Sequence, residues 1–303
     1  MDLPSWWGCA LVLTRSFGAL IAALALAAAP VSAQSGLNIL LANDDGYDAE
    51  GLIAVRTALL AAGHQVTVVA PLENRSGSGA SLTTSGTIDY YPQEEGVWAV
   101  DGTPVDAVTL GLVHVLRANP PDLVITGADF GQNVGANVIA SGIIGAALSA
   151  SRAGVPAIAL SVEVDLSESE SARRFSSTID AFEPAAEFLV ELVRQLAESG
   201  GAGLLPPRTI LNVNYPAVGA DDPEGVRFAT VSSVRGFRQL FSVGGDQGPA
   251  RVQLAPGNVE QAEEGSDVAL VAAGFVTISV LDGNLDLGSA SWEPLLQRLI
   301  IER

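Results

Sequence analysis

Two adjacent aspartates, Asp44 and Asp45, close the apolar run "NILLA" and open the turn "NDDGYDAEG". Neighbouring carboxylates repel each other, and the pair becomes useful when it shares a cation. Three further clusters carry residue types that complete such a site. "PLENRSGSG" places Asn74, Arg75 and Ser76 in a glycine-rich loop, and "TGADFGQNVG" brings Asp129 and Asn133. "ASGIIGAA" opens a small-residue helix at Ser141 and Gly142. Taken singly, each is commonplace: Asp-Asp-Gly is a frequent turn, Ser141 an ordinary helix N-cap, and Asp129 and Asn133 loop residues that satisfy backbone groups. Taken together they are a hard-cation inventory. Oxygen ligands from Asp44, Asp45, Ser76 and Asp129 suit Mg²⁺, Mn²⁺ or Ca²⁺ and not zinc. A cation there draws in a phosphate, whose oxygens suit the free N–H groups of a helix start. The chemistry these parts support is metal-assisted hydrolysis of a phosphate ester.

The elements between the clusters explain why they should meet. Strand candidates are Asn38–Ala42, Gln65–Ala70, Val97–Val100, Asp122–Thr126, Ala157–Val162 and Thr209–Tyr215. Between them, "AEGLIAVRTALLAAG", "PVDAVTLGLVHVLRA" and "SGIIGAALSASRAG" are apolar at helical spacing and end in glycine or before proline. A further helix is expected in "DAFEPAAEFLVELVRQLAESG". Such alternation predicts an α/β fold, a Rossmann-like doubly wound and mostly parallel sheet with helices on both faces. Ligands of such sheets bind beyond the carboxyl ends of the strands, where each polar cluster falls. Residues 217–260 change texture, with short β-like runs and Gly-Gly-Asp and Gly-Pro turns, and read as a protruding β-hairpin arm. "DVALVAAGFVTISVLDGN" returns a short helix and a strand, and "SWEPLLQRLIIER" forms a closing C-terminal helix.

Composition removes other chemistries. The chain has 303 residues, 34 acids and 15 basic residues, all arginine, for a net charge of −19. That surface repels nucleic acid and anionic lipid. Without lysine there is no P-loop lysine, Schiff base or Ser-Lys dyad. Of the two histidines, His64 sits in the turn before a strand and His114 within a helical stretch, so both read as turn or packing residues. Arg15 followed by "FGALIAALALAAAPVSA" reads as a signal peptide over residues 1–33, cleaved after Ala33. An uncleaved anchor is the alternative. The expected mature chain, residues 34–303, is exported, periplasmic or secreted, with no membrane contact after cleavage. Cys9 leaves with the signal, which removes disulfides and thiolate sites.

At these same residues the chain resembles the SurE family of metal-dependent nucleotidases and phosphatases. "NILLANDDGYDAEGL", "VTVVAPLENRSGSG", "DGTPVDAVTLGL", "PDLVITGADFGQNVG", "ASGIIGAA", "VPAIALSV", "LNVNYP" and "DVALVAAGFVTISVL" follow the family's order over about 37–281. The resemblance implies hydrolysis of nucleoside 5′- or 3′-monophosphates with one divalent cation, Mg²⁺ or Mn²⁺ foremost and Ca²⁺ third. It also implies broad phosphomonoesterase activity and a homodimer or homotetramer built through the arm. Carried over by position, Asp44, Asp45, Ser76 and Asp129 would ligate the metal. Asn133, Ser141 and Gly142 would face the phosphate, with Asn43, Gly46, Asn74 and Arg75 shaping the loops. Asp44 and Asp45 would be catalytic, with Asp45 preferred for activating water. Two positions depart from the family pattern: Asp129 stands where asparagine is usual, and Ile143 where threonine follows Ser-Gly. The third carboxylate should tighten metal binding while repelling phosphate. The alternatives are a general acid phosphatase or polyphosphatase, and a non-catalytic metal- or nucleotide-binding homologue.

Overall fold

A strand that is apolar at every position must be covered on both faces, and the run Asn38–Ala42 is buried throughout. Ile39 and Leu41 belong to one apolar layer and Leu40 and Ala42 to the other, as the twofold period of a strand requires. The computed structural model describes residues 36–199, 203–218, 222–245 and 247–285. The expected signal peptide (1–33) and closing helix (291–303) lie outside the described residues.

In chain order the elements are β1 (Asn38–Ala42), α1 (Glu50–Ala61), β2 (Gln65–Pro71), β3 (Tyr90–Glu94), β4 (Val97–Val100), α2 (Pro104–Leu110), β5 (Leu123–Phe130) and α3 (Gly142–Arg152). They continue as β6 (Ala157–Val162), α4 (Ser176–Glu198), β7 (Ile210–Tyr215), β8 (Val226–Phe228), β9 (Phe237–Val243), β10 (Ala250–Pro256), α5 (Asp267–Ala272) and β11 (Val276–Leu281). The main sheet runs β3-β4-β2-β1-β5-β6-β7-β11-β8. Its six strands from β4 to β7 are parallel, while β3 and β11 each run antiparallel to their neighbours β4 and β7. Helices α1 and α4 cover one face with Leu52, Val55, Leu59, Phe182 and Leu189. Helices α2 and α3 cover the other with Val108, Ile143, Ile144 and Ala147. The chain leaves β1 toward β2 on one side and returns to β5 on the other. This makes the crevice beyond β1 and β5 the topological switch point, where doubly wound sheets bind ligands.

Several boundaries differ from the sequence expectation. The fourth expected strand, ending at Thr126, continues to Phe130 and so carries Asp129 within the sheet. The helix expected over 104–118 is α-helical only to Leu110 and continues as a π-helical turn, Gly111–Val115. The arm is narrower than 217–260: β9 and β10 form the two-stranded hairpin, whereas Val226–Phe228 pairs with β11 in the main sheet. Short exposed edge strands such as β3 and β8 carry little apolar alternation for a sequence reading to find. His64 has the turn role expected of it, with Nδ1 accepting from Leu37 N–H at 3.0 Å.

Candidate active site

The turn after β1 is shaped by Asn43, whose Nδ2 donates to Gly46 O (2.8 Å) while its Oδ1 accepts from Gly46 N–H (3.3 Å). This Asx-type closure turns Asp44 inward, to 1% exposure, and leaves Asp45 half-buried beside it. Asp129 reaches the same place from β5. The register between β5 and β6 shifts between Thr126 and Asp129, a bulge that re-aims the strand end. Gly127 makes the bulge feasible: its φ is +129°, and a Cβ there would lie 2.1 Å from Leu160 O. The outcome is a carboxylate triad. One oxygen from each of Asp44, Asp45 and Asp129 falls within 4.8 Å of the others.

Each carboxylate has a different set of partners. Asp45 is pinned through both oxygens, accepting from Asn74 Nδ2 (2.8 Å) and Ser76 Oγ (3.3 Å) on Oδ1 and from Phe130 N–H (2.9 Å) on Oδ2. Asn74 also braces Ser76, its Oδ1 accepting the Ser76 N–H at 2.9 Å. Asp129 Oδ2 accepts from Asn133 Nδ2 at 2.5 Å, and the same amide donates to Ser161 Oγ at 3.0 Å. Asp44 Oδ1 is buried and has no hydrogen-bond partner among the described residues. An unpaired buried carboxylate oxygen carries a desolvation penalty until a cation or proton meets it.

Two ionised carboxylates at that separation repel by roughly 3 kcal/mol for an effective dielectric near 20. Three such pairs would consume much of a typical domain's stability, so without a cation the cluster favours taking up protons. Burial, and then the charge of Asp45, push Asp44 up to about 7. Burial and the neighbouring charges of Asp44 and Asp45 push Asp129 well above the usual carboxylate range, against the pull of the Asn133 hydrogen bond. A divalent cation fits these residues. They offer only hard oxygen donors, one of them an orphaned buried oxygen, and a charge that a cation neutralises.

The remaining expected residues are placed as follows. Ser76 lies on an exposed loop with its hydroxyl toward Asp45 and lines the same cavity as Asp44, Asp129, Asn133 and Ser141. Ser141 caps α3, its Oγ accepting from Ile144 N–H at 3.2 Å. Gly142 packs directly on Asp44, and its N–H pulls the Asp44 carboxyl down, against the larger upward push of burial and Asp45. Both amide hydrogens of Asn133 are spent on Asp129 and Ser161, so Asn133 orients the third carboxylate and has no hydrogen left for a phosphoryl oxygen. Arg75 is not drawn to the cluster by charge. Its guanidinium pairs with Asp101 at 3.0 Å, while its N–H donates to Asp44 O at 2.6 Å. Ile143 is buried in the apolar layer under α3, away from the cavity lining.

Several residues that complete the site were not anticipated. Asn214 Oδ1 accepts from Asn133 N–H at 2.7 Å, and Asn212 and Asn214 both donate to Asn133 O, at 2.9 and 3.3 Å. Their signal is two asparagines at i and i+2 in the apolar strand "ILNVNY", hence on one face of β7. Asp267, at the start of α5, accepts from Gly135 and Ser232 N–H at 2.9 Å each and ties the Asn133 loop to the root of the hairpin. It lies 132 residues from Gly135, and nothing local in the sequence announces it.

Known proteins resemble this chain over most of its length. Residues 39–237 match the family described as Survival protein SurE. A 5′-nucleotidase SurE of Thermosynechococcus vestitus is 34% identical over 83% of this chain and 93% of its own length. One of Gloeobacter violaceus is 34% identical over 87% and 99%. The crystal structure of the SurE protein from Aquifex aeolicus superposes with a TM-score of 0.67 at 30% identity, covering 86% of this chain and 98% of that one.

Proposed function

This chain belongs to the SurE family, and on that premise we propose that the crevice beyond β1 and β5 is the active site of a divalent-metal-dependent phosphomonoesterase acting on nucleoside monophosphates. The observation that carries this reading is the convergence of Asp44, Asp45 and Asp129, in which Asp44 Oδ1 is buried with no hydrogen-bond partner among the described residues.

Asp44, Asp45, Ser76 and Asp129 are the residues that would hold the cation. When bound, the cation supplies charge neutralisation and Lewis acidity toward a phosphate oxygen. The chain's own groups do the rest. Asp45, fixed through both oxygens, is a rigid ligand. It is also the carboxylate proposed to activate water, while Asp44 Oδ1, buried and without a hydrogen-bond partner among the described residues, is left for the cation. Asn133 fixes Asp129, and the start of α3 brings backbone N–H groups to the same crevice.

The oxygen donors suit Mg²⁺, Mn²⁺ or Ca²⁺, and Mg²⁺ or Mn²⁺ is the ion proposed. The exposed apolar residues Phe241, Val243 and Val252 on the hairpin support a homodimer or homotetramer formed through it. The Arg15-led run ending in Val31-Ser32-Ala33 supports export. Phosphate release from AMP and from p-nitrophenyl phosphate, with Mn²⁺ and with EDTA, tests the activity. Turnover of the generic ester alone points to a general phosphatase, and cation-dependent binding without turnover of either ester to a non-catalytic homologue.

A further inference from the structure

The cavity lined on one side by the buried Asp44, Asp129 and Asn133 is lined elsewhere by apolar side chains from three separate elements. Phe130 comes from the end of β5, Val164 and Leu166 from the segment after β6, and Phe237 and Leu254 from facing strands of the hairpin. Phosphate chemistry has no use for such a wall. In a chain of net charge −19 an anionic substrate also gains little from the surrounding field.

The hairpin is fixed where it meets this cavity. Ala136 N–H donates to Val234 O at 2.9 Å, and Phe237 N–H to Asn137 Oδ1 at 3.3 Å. Gly135 pairs with Arg235, and a Cβ on Gly236 would lie 2.6 Å from Val134 Cγ2. The loop that carries Asn133 therefore also seats Phe237. Phe130 is held edge-on by Phe175, with ring centroids 5.5 Å apart and planes at 83°, whereas Phe237 takes part in no ring–ring contact among the described residues.

We propose that Phe237 and Leu254 of the hairpin, with Phe130, form the wall against which the nucleoside part of the substrate packs, and that Phe237 is the residue that sets preference for nucleotides over small phosphate esters. Resting on the nucleotidase reading, this names the specificity determinant of that site. A nucleobase offers an aromatic face to Phe237, whereas glycerol 2-phosphate has nothing to place there.

The test uses the full chain with Mn²⁺ and two substrates, AMP and glycerol 2-phosphate, with adenosine binding measured separately by calorimetry. Phe237→Ala should raise KM for AMP by on the order of 10-fold with kcat nearly unchanged, and leave glycerol 2-phosphate kinetics as they were. Adenosine binding should weaken in parallel, Phe237→Trp should restore it, and Leu254→Ala should show a smaller effect of the same kind. Equal losses on both substrates, or no change on either, overturns the proposal. If the wild-type protein turns over neither ester, the nucleotidase reading fails. Adenosine binding then decides the wall separately: binding that Phe237→Ala weakens upholds it, and no binding, or binding that Phe237→Ala leaves unchanged, overturns it.

Discussion

Gly142 stands so close to Asp44 that a Cβ on residue 142 would lie 2.6 Å from Asp44 Oδ2 and 2.9 Å from Asp44 Cβ. The first residue of α3 is thus a packing surface for the most buried carboxylate of the site. Gly142→Ala should displace Asp44 and lower phosphate release from AMP by about 100-fold, roughly 2.7 kcal/mol of transition-state stabilisation. Alanine is the better helix former by about 1 kcal/mol, so α3 itself is not weakened. A lost rate with a preserved melting temperature isolates the displaced carboxylate; an unchanged rate means Asp44 is not at the reacting centre.

The proton-holding cluster makes stability depend on pH in a definite direction. Asp44 sits at about 7 and Asp129 is also raised, so both bind protons more tightly folded than unfolded. Their contribution is fully present below about pH 4 and is lost as pH rises through 7. In EDTA, the melting temperature of the wild type relative to Asp44→Asn should fall between pH 5 and pH 8. Adding Mn²⁺ should remove that fall and stabilise the wild type more at pH 8 than at pH 5. Scanning calorimetry at the two pH values reads both effects, and an Mn²⁺ shift of equal size at each pH contradicts them.

Asp129→Asn separates the third carboxylate from the other two. Asparagine keeps an oxygen for the Asn133 amide but removes a buried charge with two negative neighbours. The cation-free protein should melt higher at pH 8, and the stabilisation by Mn²⁺ should shrink. A full Mn²⁺ shift in this variant would show that the charge at position 129 adds nothing to cation binding.

Glu163, one residue beyond β6, is a half-buried carboxyl outside the triad, raised to about 7 by desolvation, with the Ala217 N–H at 3.1 Å pulling the other way. The raised value means its contribution to stability is present below about pH 4.5 and is lost as pH climbs through 7. Glu163→Gln should match the wild type near pH 5 and exceed it above pH 7, by on the order of 3 kcal/mol at most. Melting temperatures of the two proteins across that range provide the check, and a constant difference refutes it.

The parts of the site legible in sequence are those whose signal is local. Asp44 and Asp45 interrupt an apolar strand, and Ser76, Asp129 and Ser141 sit in polar clusters at the ends of recognisable elements. What the linear order hides is how the residues divide the work. Asp45 and Asp44 are adjacent and chemically identical, and the Asn74, Ser76 and Phe130 donors pin one through both oxygens while Oδ1 of the other stays without a partner among the described residues. Asn133 reads as a phosphate donor until Asp129 and Ser161 are seen to take both its hydrogens. The arm was visible as a change of texture. Its entry into the cavity through Phe237 and Leu254 was not, because hairpin and crevice meet through contacts 100 residues apart in the chain.

Phosphate released from AMP by the purified protein, with Mn²⁺ present and then chelated by EDTA, and again with Asp44→Asn, tests the reading most directly. Rapid release that needs the cation and is lost in the folded variant is the result the geometry predicts. Release that survives EDTA, or that Asp44→Asn leaves intact, would contradict a cation-loaded carboxylate triad as the site of hydrolysis.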